Sequence, residues 1–310
     1  MALSEGSFKG GSQPLKQGEQ VMSKQKWLTT AAGVKMPPMI YGTAWKKEQT
    51  ADLVKQALVA GFRGIDTACQ PRHYNEALVG QAVKDLKNQG IDRSDIYLQT
   101  KYTPPGGQDP ENTPYDRKAP IEEQVAQSFE VSKNNLQTDS IDSLVLHSPL
   151  SSHHNTMTAW RAMEEIYRSG AARQLGISNC YDLDTLRALY QEAAVKPVVL
   201  QNRFYAQTGY DRELRDWCMK NNIIYQSFWT LTANPHLLES RVVTSLAEKH
   251  QKTAPQIVFR YLTQRGIVPL TGTTSEQHMK EDLDIFEFDL DAEDAKQIDD
   301  AFSAGFDSTS

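Results

Sequence analysis

Eight short apolar runs recur from residue 38 to the end of the chain, each followed by an amphipathic stretch. They occupy 39–44 (MIYGTA), 63–68 (RGIDTA), 95–101 (DIYLQTK), 142–147 (DSLVLH), 173–178 (RQLGIS), 197–203 (PVVLQNR), 223–228 (IIYQSF) and 267–271 (IVPLT). Helical periodicity covers 49–60, 75–88, 120–136, 157–169, 182–194, 211–221 and 241–265, with a further amphipathic stretch after the last run. Such alternation of buried-type strands and helices specifies an α/β fold, and eight units predict a closed (β/α)8 TIM barrel better than an open doubly wound sheet. No GxGxxG run is present, which removes the main signal for the open sheet.

The 310 residues suit one barrel domain. KWLTTAAGVKMP, at 26–37, reads as a short β-hairpin turning at Ala32 and Gly33. It is too small to stand alone, so it is expected to cover one end of the barrel. Residues 1–25 are rich in Gly, Ser, Gln and Lys and are expected to be a disordered lead, leaving 26–310 as the domain. An extra helix near 291–303 closes the chain, with little tail beyond it to cover a site, so a fairly open pocket with broad acceptance is expected.

Charge narrows the partners. Thirty-three basic and 39 acidic residues give a formal charge of −6, with no basic block, which argues against nucleic-acid binding. No apolar run approaches the ~18 residues of a membrane span, and the first 25 residues lack the apolar centre of a signal peptide. A cytoplasmic protein, monomeric or weakly oligomeric, is expected. Cys69, Cys180 and Cys218 are irregularly spaced and are read as thiols, Cys69 being either oxidisable in its loop or simply buried. His153 and His154 are adjacent on an expected loop without carboxylate or thiol partners, so no metal site is assigned.

The polar residues that end the strands point to a site. Asp66 ends the second strand, Lys101 the third and His147 the fourth; Cys69, His73 and Tyr74 follow Asp66 in its loop. Neighbouring strands are ~5 Å apart, so these groups can share one rim, and the carboxyl end of a barrel is where chemistry is found. Each also has a plain structural explanation. Asp66 can cap a turn, Tyr74 can pack, Lys101 can be a solvated strand end and His147 a core histidine.

With those residues in order, the chain resembles the aldo-keto reductase superfamily from about Trp27 to Ala304. The phrases that carry the likeness are GTAW at 42–45, GFRGIDTA at 61–68, LQTK ending at Lys101, LVLHSP around His147, GISN at 176–179, VLQNRF around Gln201 and APQIVFRYL from 254. The resemblance implies an NAD(P)H-dependent enzyme that reduces an aldehyde or ketone to an alcohol, with NADP(H) preferred over NAD(H). It implies that Tyr74 donates the proton, that Lys101 lowers the pKa of the phenol, that Asp66 holds the lysine, and that His147 orients the carbonyl. Ser178, Asn179 and Gln201 would hold the nicotinamide carboxamide. Gly42 and Thr43 would line the cofactor groove, and Trp45, His73 and Trp229 the substrate pocket.

Three departures from the family pattern carry their own expectations. Tyr74 stands eight residues after Asp66 rather than five, with His73 as an alternative acid. Anchoring IIYQSFWTL on Ser227 puts Gln226 where an aromatic residue normally stacks on the nicotinamide. At the adenosine end, PLTGTTSEQHMKEDL offers Thr273, Thr274, Gln277, Glu281 and Asp282 as contacts. The loop at 102–120 is long enough to overhang the site. A second reading, from the displaced tyrosine and missing aromatic, is a non-catalytic nucleotide-binding barrel acting as a regulatory subunit or redox sensor.

Overall fold

In the computed structural model, residues 26–307 are described, with side chains to Phe302; the expected lead at 1–25 lies outside them. The chain opens with an antiparallel hairpin, β1 (Leu28–Thr29) and β2 (Lys35–Met36). Its turn is tied by Thr30 N–H to Val34 O, and Gly33 adopts φ +76°, a conformation only glycine takes at little cost.

Eight parallel strands then form a closed barrel. They are β3 (Ile40–Gly42), β4 (Gly64–Asp66), β5 (Tyr97–Tyr102), β6 (Ser143–Leu146), β7 (Leu175–Ser178), β8 (Val199–Arg203), β9 (Ile224–Phe228) and β10 (Val268–Thr271), and β10 closes onto β3. The expected (β/α)8 barrel is therefore the fold. Its strands are buried on both faces, which is why they read as near-continuous apolar runs.

The helices on the outside are α1 (Thr50–Ala60), α2 (Glu76–Leu86), α3 (Ile121–Leu136), α4 (His153–Arg168), α5 (Leu183–Glu192), α6 (Arg212–Lys220), α7 (Pro235–Leu238), α8 (Arg241–His250), α9 (Ala254–Gln264), α10 (Glu276–Leu283) and α11 (Ala292–Asp307). Two differ from the expectation. The single helix read over 241–265 is two, because Gln251 turns left-handed at φ +52° and Thr253 starts a new helix with a reciprocal cap to Gln256 and Pro255 in its first turn. α4 begins earlier than read, since Ser152 caps it through Asn155 N–H. That places His153 and His154 on a helix rather than a loop, with His153 paired to Glu192. No described helix is long and apolar enough to cross a membrane.

The hairpin stoppers the amino-terminal mouth. Val34 and Met36 pack with Ile40, Tyr97 and Val268 in a cluster separate from the main core. From it a polar column rises along the barrel interior. Thr30 Oγ1 donates to Gln174 Oε1 (2.7 Å), Gln174 Nε2 to the Tyr97 hydroxyl (3.0 Å), Tyr97 to Gln99 Oε1 (2.8 Å), and Gln99 Nε2 to Asp66 Oδ1 (2.7 Å). Pairing of this kind offsets the cost of burying polar groups.

Candidate active site

The column ends on a buried ion pair at the carboxyl rim. Lys101, on β5, is 1 % exposed and donates to Asp66 Oδ2 at 2.6 Å and to Thr67 O at 2.9 Å. Asp66 Oδ1 accepts from Gln99 Nε2 and, at 3.0 Å, from Gln201 Nε2. Both amides also donate to Gln226 Oε1, so three glutamines form a belt beneath the carboxylate. Burial lowers the Lys101 pKa while Asp66 acts to raise it.

Tyr74 reaches this pair because the loop after β4 is folded tightly. Cys69 N–H donates to Lys101 O, while His73 and Tyr74 N–H both donate to Gln70 O, a turn that takes up the three additional residues. Asn75 then caps α2 through Leu78 N–H, and buried Glu76 accepts from Thr100, Ser132 and Asn135. The Lys101 ammonium lies 5.2 Å from the centroid of the Tyr74 ring, and the His147 ring meets Tyr74 edge to face at 6.0 Å. No hydrogen bond joins the Tyr74 hydroxyl to Lys101 among the described residues. His73 instead lies against Trp45, the ring centroids 3.8 Å apart and tilted by 35°.

The electrostatics correct the expectation that the lysine lowers the phenol pKa. Burial raises it, and Asp66 raises it further. Desolvation is the larger effect, even with the lysine ammonium 5.2 Å from the ring centroid. His147 is pushed well below its usual range by burial, then by Lys101 and His73, and is a neutral imidazole at pH 7. Its Nδ1 lies 2.6 Å from Thr103 Oγ1, a contact not foreseen from sequence. Cys69 is buried, with Sγ directed to Ser128 O and its pKa raised by burial, which makes it a poor target for oxidation.

A cavity of about 640 Å³ opens above these groups, within the range of roughly 300–1,000 Å³ usual for small-molecule sites. Its wall includes Gly42, Trp45, Asp66, His73, Tyr74 and His147. Ser178, Asn179, Gln201, Trp229 and Thr273 complete the set of expected residues that line it. Trp45, Asn179 and Trp229 hold φ of +64°, +51° and +56°, left-handed values uncommon outside glycine, each just past a strand.

The remaining expected contacts lie elsewhere. Thr43 is buried and donates to Asp66 O. Ser227 is buried and accepts from Thr230, and Gln226 sits a layer below the cavity in the glutamine belt. The aromatic ring that lines the cavity from β9 is Phe228, two residues beyond Gln226 and so on the same face of the strand. Tyr225 points the other way, to Asp211. Thr274 is exposed and does not line the cavity, and Gln277 and Glu281 pair with each other along α10, whereas His278 of that helix does line it. Asp282 is buried and accepts from Thr271. None of the loop at 102–120 lines the cavity; it packs back on itself, with Tyr115 donating to Thr103 O. Lys46, also unforeseen, lines the wall and donates to Gly272 O.

The geometry agrees with what comparison with known proteins finds. The model of the Aldo/keto reductase family matches residues 38–302. The chain belongs to that family. It is 32 % identical over 270 residues to glyoxal reductase of Bacillus subtilis (strain 168), covering 86 % of this chain and 89 % of the relative. Morphine 6-dehydrogenase of Pseudomonas putida is 29 % identical over 287 residues, covering 86 % and 88 %. Among solved structures, MGS-M4, an aldo-keto reductase from a Medee basin deep-sea metagenome library, superposes with a TM-score of 0.76 at 30 % identity, covering 88 % of this chain and 94 % of that one. A mutant of Gox0644 solved in complex with NADPH gives 0.74 at 27 %, covering 89 % and 93 %. As an aldo/keto reductase, the protein is an NAD(P)H-dependent oxidoreductase.

Proposed function

We propose that this aldo/keto reductase converts aldehydes or ketones to alcohols with NADPH, and that Tyr74, His147, Lys101 and Asp66 carry the proton-transfer half of the reaction. The observation that carries this reading is that Tyr74 and His147 share one cavity wall directly above the Asp66–Lys101 pair. The donor set fits the cofactor. Ser178 and Asn179 offer side-chain donors and acceptors suited to a carboxamide, Phe228 offers a flat apolar face, and Lys46 and Thr273 stand at the far wall next to the start of α10, where an anionic group is favoured. Bound there, the reduced nicotinamide would supply the hydride.

The side chains do the rest. A carbonyl oxygen placed between Tyr74 and His147 accepts a hydrogen bond from each. With Thr103 Oγ–H donating to Nδ1, the neutral imidazole keeps its proton on Nε2, facing the cavity. Negative charge that develops on the oxygen is met by these two donors and by the lysine behind them. Tyr74 is a protonated phenol at neutral pH and so holds the proton that the developing alkoxide takes. The N-terminus of α10, with Thr273 just before it, favours the additional phosphate of NADPH over NADH.

The test is NADPH oxidation by purified protein against a panel of aldehydes and ketones, beginning with glyoxal. Tyr74→Phe is expected to lower kcat by about 10²- to 10⁴-fold, the usual worth of a positioned general acid, without weakening NADPH binding. An unchanged rate in that variant, or a panel with no turnover, overturns the proposal.

A further inference from the structure

One charged side chain at the cavity has no part in that reading. Arg203, the last residue of β8, lines the wall and is half-buried. Its guanidinium lies 4.2 Å from the centroid of the Trp229 ring and 5.4 Å from that of Tyr205. Cation–π contacts of this kind fix the plane of an arginine without cancelling its charge. Its Nε is buried and has no hydrogen-bond partner, and no carboxylate among the described residues forms an ion pair with it.

The other charges on the wall are committed. Asp66 is bound to Lys101 and to two glutamines, and Lys46 to Gly272 O. Among the described residues Asp66 is the sole carboxylate lining the cavity, so their wall presents a cation and no free anion. Position adds the second argument. Ser178 and Asn179 stand at the end of β7 and Gln201 within β8, while Thr273 follows β10 and His278 lies in the first turn of α10. A ligand that reaches from one set to the other crosses the rim at β8 and β9, where Arg203 and Trp229 lie. The middle of a dinucleotide is a diphosphate, and a carbonyl substrate that bears an acid presents the same chemistry.

We propose that Arg203 is an anion-binding residue of the cavity, its guanidinium taking the oxygens of a diphosphate or of a carboxylate carried by the substrate. This extends the reductase reading and rests on it for the identity of the ligand. An arginine restrained by two rings and left with open N–H groups is prepared for planar oxyanions at little conformational cost.

The experiment compares the wild-type protein with Arg203→Gln and Arg203→Lys, each checked for an unaltered thermal melt. Calorimetric titration with inorganic pyrophosphate and with NADPH forms one arm; steady-state kinetics on 4-carboxybenzaldehyde and 4-nitrobenzaldehyde form the other. Loss of a charge-assisted hydrogen bond is expected to weaken one arm by about ten- to a hundredfold in Arg203→Gln, with Arg203→Lys between. Weakened pyrophosphate and NADPH binding assigns the diphosphate. A comparable shift in the ratio of KM values for the two aldehydes assigns the substrate carboxylate. Both arms unchanged, or no pyrophosphate binding in a protein that also fails to distinguish the aldehydes, overturns the proposal. Pyrophosphate binding that depends on Arg203 in a protein that reduces no carbonyl would sink the reductase reading and leave this one standing.

Discussion

Lys101 is charged at a place where charge is costly, and what holds it there is Asp66 at 2.6 Å together with the Thr67 carbonyl. Removing one member of a buried pair strands the other, a loss of about 3–5 kcal/mol, whereas removing both spares that penalty. Lys101→Met is therefore expected to lower stability by that amount in urea titrations, and Asp66→Asn with Lys101→Met to recover most of it. Neither is expected to restore carbonyl reduction. Equal stability of the single and double variants would contradict the coupling. Strand-end spacing made these residues legible, because a period of two fixes which side chain reaches the rim. Phe228 was not legible for a related reason. Anchoring on Ser227 chose Gln226, yet both Gln226 and Phe228 point inward, one to the belt and one to the cavity. Continuing the alternation one step further along IIYQSF would have found it. Membership of the aldo/keto reductase family, with its oxidoreductase relatives, sets aside the reading of a non-catalytic barrel.

Among the elements, the loop after β4 depends on how closely α2 lies against α3. Gly80 faces the end of α3, where a Cβ would run into Asn135 O and come within 2.8 Å of Leu136 Cα. Backbone does not yield as a side-chain tip does, so Gly80→Ala is expected to destabilise by about 1–3 kcal/mol despite its better helix propensity. Since α2 begins two residues after Tyr74, the same variant should also lower kcat. A variant as stable as the parent would show that the two helices separate freely. Element type was legible almost throughout, because buried parallel strands and amphipathic helices differ in pattern. Boundaries were less so. The division at Gln251 and the early start of α4 depend on a left-handed residue and on caps, which leave the apolar periodicity undisturbed.

Across the whole molecule, stability should depend on pH through Asp282. Burial pushes its carboxyl up to about 7 against the hydrogen bond from Thr271, with Glu281 adding to the rise. The folded protein thus holds a proton that the unfolded chain releases near pH ~4. Stability from this group is complete below that pH and is lost as pH rises through about 7. In ligand-free protein, the melting temperature is expected to fall from pH 5 to pH 8 relative to Asp282→Asn, by the equivalent of a few kcal/mol at about 1.4 kcal/mol per pKa unit. A constant difference across that range would refute it. The hairpin's role at one end of the barrel was legible from its size, but the polar column above it was not, since Thr30, Gln174, Tyr97 and Gln99 meet only when the strands close. That stopper has a consequence for traffic. A vessel sealed at its base has no back door, so whatever is made inside departs through the doorway its successor needs, and geometry imposes the queue.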